Sequence, residues 1–164
     1  MERTAAEQFR KRIQGRWAFR AFLLFKLPLA LLAGLRIESI SADACAVSVP
    51  HGWRSTNPFK STYFAALAMA AELSTGAMVM AELQGLPQKT GMLVKRAEAE
   101  FLVRATAKAS FTCVGGAAIR AAVDEAVRTG EAVLLPLETV GRMPDGTEVA
   151  RFVFTWSIVA KARV

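Results

Sequence analysis

The sequence has very few of the residues that build metal centres and histidine-dependent catalytic sites. Among 164 residues there is one histidine, His51, and there are two cysteines, Cys45 and Cys113. With no CxxC and no Cys/His cluster, no metal site is expected, and His51 belongs to no recognisable triad pattern. The cysteines lie in alternating apolar stretches, where a lone cysteine usually acts as a small core hydrophobe. This cysteine usage predicts a reducing, cytoplasmic compartment.

The N-terminal part also lacks an uncharged apolar run long enough to cross a bilayer. Residues 17–35, WAFRAFLLFKLPLALLAGL, are interrupted by Arg20, Lys26 and Pro28. The longest uncharged piece, residues 27–35, is too short to span a membrane, and no small-residue cleavage site for a signal peptide follows it. We expect an amphipathic helix packed on the domain and no membrane span; peripheral membrane contact is the alternative.

Acidic residues are scarce relative to basic ones, with 14 against 21 and a net charge of +7. Such an excess suggests an anionic partner, which would be a nucleic acid, a membrane surface or a phosphorylated ligand. A solvated helix face explains it equally well, because much of the excess lies in the first 26 residues. No nucleic-acid-binding motif is recognisable, so no nucleic-acid partner is expected.

The apolar residues follow helix and strand periods, and no internal repeat or linker interrupts them. Helices are predicted at 4–25, 61–83 and 117–129. Strands are predicted at 35–40, 45–49, 96–113, 133–140 and 149–160, with 96–113 as one long strand or a closely joined pair. The pattern predicts a single α+β domain over residues 1–164, with an N-terminal helix and an inserted helix at 117–129.

The helix at 61–83 carries almost no charge. Between Phe64 and Leu83 the only charged residues are Glu72 and Glu82, and a helix that is apolar on all sides must be covered on all sides. A single antiparallel sheet with one apolar face would wrap around part of it. We therefore predict a homodimer in which two such helices lie back to back; the sequence leaves open whether dimers pair further into tetramers.

The stretch NPFKSTYFAALAMAAELSTG, residues 57–76, resembles the active-site region of hotdog-fold acyl-CoA thioesterases, the phenylacetyl-CoA type in particular. In that family a loop Asn is followed six residues later by His-Gly-Gly, and an Asp or Glu comes nine residues after the His. Asn57, Tyr63 and Glu72 have this spacing here. The resemblance covers roughly residues 35–106 and implies a hotdog fold; the rest of the chain resembles a branch known only as a domain of unknown function.

The resemblance also implies an activity, the hydrolysis of an acyl-CoA or a related thioester. Glu72 would be the base or nucleophile and Asn57 would orient the water or the thioester. The backbone N–H groups near Phe64 and Ala65 would form the oxyanion hole. Burial is expected to raise the pKa of the Glu72 carboxyl toward neutrality.

Further residues complete the implied site. Tyr63 and Met69 would line the substrate pocket, and Lys95, Arg104 and Lys108 could bind phosphates of coenzyme A, which enters as part of the substrate and not as a separate cofactor. A solvated sheet face is the alternative for the three basic residues. Likewise, Glu72 could be a hydrogen-bonded buried acid and Asn57 a turn residue before Pro58.

One departure from the family favours a second function. His-Gly-Gly is replaced by Tyr63-Phe64-Ala65, which brings side chains to positions where glycines let the thioester approach closely. The alternative to an enzyme is therefore a non-catalytic hotdog protein that binds an acyl chain or fatty acid.

Overall fold

The computed structural model describes residues 2–161, with side chains described from residue 5 onward. Five helices and six strands lie along this part of the chain. In chain order they are α1 (Glu2–Gln14), α2 (Arg16–Lys26), α3 (Pro28–Ala33), β1 (Arg36–Ile40), β2 (Cys45–Val49), α4 (Phe64–Glu82), β3 (Lys89–Phe101), β4 (Ala109–Cys113), α5 (Gly116–Thr129), β5 (Val133–Arg142) and β6 (Glu148–Lys161).

The strands form one antiparallel sheet in the order β1-β2-β4-β5-β6-β3, and the sheet wraps around α4. This helix has 19 residues, so it is about 28 Å long, and it packs against β2, β4, β5 and β6. A sheet wrapped around one long helix confirms the predicted α+β class and the hotdog fold. By length and composition alone α4 could cross a membrane, but most of it is buried inside the protein.

The core faces of the central strands follow the predicted alternation. In β6 the residues Phe152, Phe154, Trp156 and Ile158 are all buried on the face toward the core. Trp156 reaches α4, where its Nε1–H donates to the Thr75 hydroxyl at 3.0 Å. Alternating burial and this hydrogen bond fix the position of α4 against the sheet.

The N-terminal region differs from the single helix predicted at 4–25. Three helices occupy it, because Gly15 separates α1 from α2 and a new helix, α3, begins at Pro28. Proline ends a helix that precedes it but suits the first turn of the next one, where its missing N–H is not needed. Gly34, with φ of 82°, ends α3 in the left-handed conformation that glycine tolerates.

The stretch at 96–113 divides into two strands that are not neighbours. β4 lies between β2 and β5, whereas β3 pairs only with β6 at the edge of the sheet. In β4 the alternation has the expected result, since Ala109, Phe111 and Cys113 are buried. The alternation of apolar and polar residues over 96–113 predicts one buried and one solvated side. In β3 this prediction is wrong within the protomer, because both parities are exposed from residue 95 to residue 101.

The remaining elements lie close to their predicted positions. The turn between β1 and β2 is held by the Ser41 hydroxyl, which accepts the backbone N–H groups of Asp43 and Ala44. The turn between β5 and β6 contains Gly146 with φ of 88°. α5 covers the whole range predicted for the inserted helix, begins one residue earlier, and packs on β5, β6 and α4.

Candidate active site

A groove of about 760 Å³ opens where α4 begins. It lies between the segment 56–67, which includes the first turn of α4, and the segment 101–105 that follows β3. Four residues predicted for the site line it: Asn57, Tyr63, Phe64 and Arg104. The fold therefore gathers part of the implied site in one place.

Two free backbone donors lie at the start of α4. The chain is anchored just before the helix, since the Thr62 N–H donates to the Ala105 carbonyl and the Tyr63 N–H to the Ser55 carbonyl. In the described residues the N–H groups of Phe64 and Ala65 have no acceptor. First-turn donors without partners, at the positive end of a helix dipole, suit an anion or a developing oxyanion.

Asn57 is held by its own loop. Its Oδ1 accepts the backbone N–H groups of Phe59 at 3.0 Å and Ser61 at 3.2 Å, and its Nδ2 donates to the Ser61 hydroxyl at 3.0 Å. These bonds stabilise a tight turn in which Lys60 has φ of 59°. The turn role considered for Asn57 is thus observed, and one Nδ2 hydrogen stays available for a ligand.

Glu72 lies in the middle of α4, half-buried. Burial raises the pKa of its carboxyl group above the ordinary value. Across the described chain this carboxylate takes part in no hydrogen bond or ion pair. A Cβ at Gly76 would lie 3.2 Å from the Glu72 Oε1 and 3.0 Å from the Trp156 ring, so the glycine in this helix makes room for both side chains.

One face of α4 is not covered within the protomer. Ala65, Ala68, Met69 and Glu72 are partly exposed there, while nearly all other residues between 66 and 81 are buried. The intervals of three, one and three residues put these four on one side of a helix. We call these four residues the uncovered stripe. Glu72 does not line the groove, and it lies eight positions after Phe64, about 12 Å along the helix.

The three basic residues predicted to bind coenzyme A phosphates do not come together in the protomer. Arg104 lines the groove, whereas Lys95 is exposed on β3. Lys108 donates to the Glu38 carboxylate at 2.7 Å, and this bond is the main cause that lowers the pKa of Glu38. Of the three, Arg104 alone has a position next to the candidate site.

Sequence reasoning missed the apolar wall of the groove. Phe59, Leu67, Phe101, Leu102 and Val103 contribute to it. Edge-to-face contacts run along this wall and into the core, from Tyr63 to Phe64, Phe101 and Phe152, with ring centroids 4.9, 6.2 and 5.6 Å apart. The available signal was Leu102, the one apolar residue on the otherwise polar parity of 96–113, because it marks the point where β3 ends and the groove begins.

Solved structures with the same fold are numerous, at low sequence identity. A protein of unknown function from Pseudomonas aeruginosa, described as a probable thioesterase, is 20% identical with a TM-score of 0.76 over 91% of this chain and 99% of that chain. A protein of unknown function from Chlorobaculum tepidum is 16% identical with a TM-score of 0.75 over 95% and 94%. A thioesterase from Haemophilus influenzae is 12% identical with a TM-score of 0.65 over 85% and 88%.

These likenesses establish the shared fold. In sequence, a family model described as a domain of unknown function, DUF4442, matches residues 15–158. No curated protein shows significant similarity to the chain.

Proposed function

The chain belongs to the DUF4442 family, whose function is unknown, and we propose that it hydrolyses an acyl-CoA or a related acyl thioester. The observation that carries the proposal is the carboxyl group of Glu72, which is desolvated, has a raised pKa and has no internal partner in the described chain. A half-buried carboxylate with a raised pKa and no structural partner fits a general base better than a structural acid. The thioesterases among the solved structures of the same fold support the proposal.

The reaction needs a base and an oxyanion site. The Glu72 carboxylate would take a proton from water while the water oxygen attacks the thioester carbonyl carbon. The N–H groups of Phe64 and Ala65 would stabilise the negative oxygen that forms. Collapse breaks the C–S bond, and the thiolate takes up the proton held by Glu72, which gives a carboxylic acid and a free thiol. Asn57, through its remaining Nδ2 hydrogen, would orient the thioester.

We further propose that the site is completed by a second protomer. Within one chain Glu72 lies about 12 Å along the helix axis from Phe64 and about 10 Å from Ala65, too far for both groups to act on one carbonyl group. The uncovered stripe is centred between Ala65 and Glu72. If two stripes pack antiparallel about a two-fold axis at this centre, Glu72 of one protomer faces the partner's Ala65. The homodimer would then cover the stripe and assemble two sites.

A thiol-release assay with a panel of acyl-CoAs tests the activity. Glu72→Gln should lower kcat at least about a hundredfold by removing the base, whereas Glu131→Gln, at an exposed loop position, should leave it unchanged. Turnover that persists in Glu72→Gln would refute the assignment of the base. If the protein binds an acyl ligand but hydrolyses no acyl-CoA of any chain length, the proposed enzymatic activity is refuted. The alternative, a non-catalytic acyl-binding protein, is then established.

The oxyanion donor has a matched pair of variants. Phe64 is the first residue of α4 and follows Tyr63, whose φ of −62° and ψ of 136° suit a residue before proline. Phe64→Pro therefore removes the N–H without breaking the helix, and Phe64→Ala removes the ring but keeps the N–H. We expect Phe64→Pro to be slower than Phe64→Ala by about a hundredfold. Equal rates would exclude this N–H as a donor.

Mixing inactive variants tests the shared site. A heterodimer of Glu72→Gln with Phe64→Pro restores one intact site only if the base and the donor come from different protomers. Refolding the two variants together should then recover about one quarter of the wild-type activity, since about half of the dimers are mixed and each has one good site. No recovery, with dimers confirmed by light scattering, would place both groups in the same chain.

The acyl-binding alternative rests on a specific observation. The Phe64 ring is half-exposed beside the Phe101 ring, and together with Leu102 and Val103 it gives the groove an apolar wall. Such a wall suits an acyl chain whether or not hydrolysis follows.

A further inference from the structure

Helices α2 and α3 carry large apolar side chains on their outer surface. Trp17 is 77% exposed and Phe25 79%, with Leu24, Leu29 and Leu32 exposed by 55–66%. Trp17 and Leu24 are seven residues apart, and so lie on one face of α2. We call these five residues the apolar ridge. Exposed apolar side chains that cluster in this way mark a surface that binds something.

The same segment has no acidic residue. Between Glu7 and Glu38, thirty residues contain no Asp or Glu and seven basic residues. The seven are Arg10, Lys11, Arg12, Arg16, Arg20, Lys26 and Arg36. Apart from Arg10, which pairs with Glu82, none of them forms an ion pair within the described chain. Along the sequence, the apolar ridge is therefore flanked by positively charged residues and by no negatively charged one.

A cavity of about 480 Å³ lies beside the ridge, between α2, α3 and β1. Four guanidinium groups line it, those of Arg16, Arg20, Arg36 and Arg54, and none of them has an acidic partner in the part of the chain that the structure describes. Guanidinium groups bind phosphate through pairs of N–H donors. A concave site with four of them suits a phosphate-bearing ligand.

Two features of the neighbouring residues favour an anion in this cavity. The one acid among its lining residues, Glu38, is occupied by the ammonium group of Lys108. Arg54 comes from the loop after β2, and its Nη2 lies 3.2 Å from the place where a Cβ on Gly34 would be. The left-handed glycine that ends α3 thus also lets Arg54 approach.

The apolar and cationic groups alternate on one surface. Trp17 lies between Arg16 and Arg20 in α2, and the Arg16 guanidinium is 5.8 Å from the centre of the Trp17 ring. This surface adjoins β1, at the sheet edge opposite β3. The surface and the exposed β3 edge therefore lie at opposite ends of the sheet.

We propose that α2 and α3 dock the protein on an anionic membrane surface. The apolar ridge would enter the boundary between headgroups and acyl chains, while the four arginines bind lipid phosphate groups. Charge favours this occupant over a second copy of the same surface. Two copies would bring together two sets of the four arginines that line the cavity, which have no acidic partner in the described chain. A nucleic acid, in turn, would bind the arginines but would not bury the leucine side chains of the apolar ridge.

Vesicle sedimentation tests the proposal with the full chain. We expect the protein to sediment with vesicles of phosphatidylcholine that contain about one third phosphatidylglycerol, and to bind pure phosphatidylcholine at least about tenfold more weakly. Added salt should weaken the binding to the anionic vesicles. Emission from Trp17 should shift to shorter wavelength on binding, and Trp17→Phe should lose most of the shift.

Two pairs of variants separate the contributions of the ridge and the arginines. The double variant Trp17→Ser with Leu24→Ser should lose at least about tenfold in vesicle affinity, whereas Leu134→Ser, an exposed leucine on β5, should lose none. Arg16→Gln with Arg20→Gln should lose about tenfold. The matched pair Lys89→Gln with Lys161→Gln removes the same charge at the ends of β3 and β6, with a smaller loss. All these positions are exposed, so circular dichroism should show unchanged folding.

Four results would overturn the proposal. The first is an absence of sedimentation with either kind of vesicle. The second is vesicle binding that the ridge variants leave unchanged. The third is self-association that Trp17→Ser with Leu24→Ser abolishes, without any vesicle binding, which would make the ridge an interface between copies. Saturable binding of inorganic phosphate without vesicle binding would likewise assign the arginines to a free anion and refute membrane docking.

Discussion

β3 and β4 have the same sequence pattern and opposite surroundings. Both alternate apolar and polar residues, with Phe101 in one strand and Phe111 in the other on the apolar parity. Phe111 is fully buried against α4 and the central sheet, whereas Phe101 is 50% exposed at the sheet edge. Alternation therefore predicts which residues can face a core, but the position of the strand in the sheet decides whether a core is there.

The same contrast divides α4. Its inner side, with residues such as Ala70 and Val79, is fully buried by the sheet, and its outer side is the uncovered stripe. The apolar side of β3 and the uncovered stripe are both at least partly exposed in the protomer. A second protomer that packs on both surfaces would explain why both are exposed. The proposed homodimer therefore predicts that β3 and the uncovered stripe become covered together.

The largest expected effect is the difference in stability between variants of Phe111 and of Phe101. Phe111→Ala should lower the free energy of unfolding by about 3–5 kcal/mol, because it leaves a cavity in the core. Phe101→Ala, at dilution, should cost less than about 1.5 kcal/mol, since half of the side chain is already in water. Urea denaturation of both variants measures the difference. A similar cost for the two at low protein concentration would show that β3 is as well covered as β4.

The thiols of Cys45 and Cys113, which are both buried, test whether the core face of the sheet is shielded from solvent. Burial, and to a lesser degree the neighbouring Cys113 thiol, raises the pKa of Cys45 to about 12; burial also raises the pKa of Cys113. Since the thiolate is the reactive form, its fraction at neutral pH falls about a thousandfold for Cys45. Neither thiol should react with an aromatic disulfide reagent until the protein unfolds. Val114→Cys, one residue further along at a 79% exposed position, should react at once; native thiols that react as fast would contradict their burial.

The smallest expected effect concerns the carboxylate on the uncovered stripe. Burial raises the pKa of Glu72 above 4.5, so the folded chain holds this proton more tightly than the unfolded chain. The contribution of Glu72 to stability is therefore fully present below the unfolded pKa and is lost as the pH rises through the folded pKa. Relative to wild type, Glu72→Gln should gain stability as the pH rises.

Urea midpoints across this pH range, at dilution, measure that gain. Glu131→Gln serves as the control, because it removes one carboxyl group at an exposed position. A stability difference between wild type and Glu72→Gln that stays constant with pH would show that the carboxyl is not perturbed.

Part of the site was accessible from the sequence. The spacing of Asn57, Tyr63 and Glu72 pointed to the loop and the helix that form the groove, and the free N–H groups follow from where α4 begins. The hydrogen bonds that tie Asn57 to Ser61 were not accessible in detail, because they depend on a left-handed turn at Lys60. The pairing of Lys108 with Glu38 joins residues seventy positions apart, which no local pattern reveals.

By itself the sequence determined the period of each element, the apolar character of α4 and the place of the carboxylate within it. These properties are local, because rotation per residue and side-chain chemistry set them before any long-range contact forms. Only the tertiary structure decided that β3 lies at an edge, that Glu72 lies on the bare side of α4 rather than in the groove, and that α2 and α3 present their apolar side chains outward. Those outcomes depend on which surfaces meet, and burial is a property of pairs of surfaces rather than of any one segment.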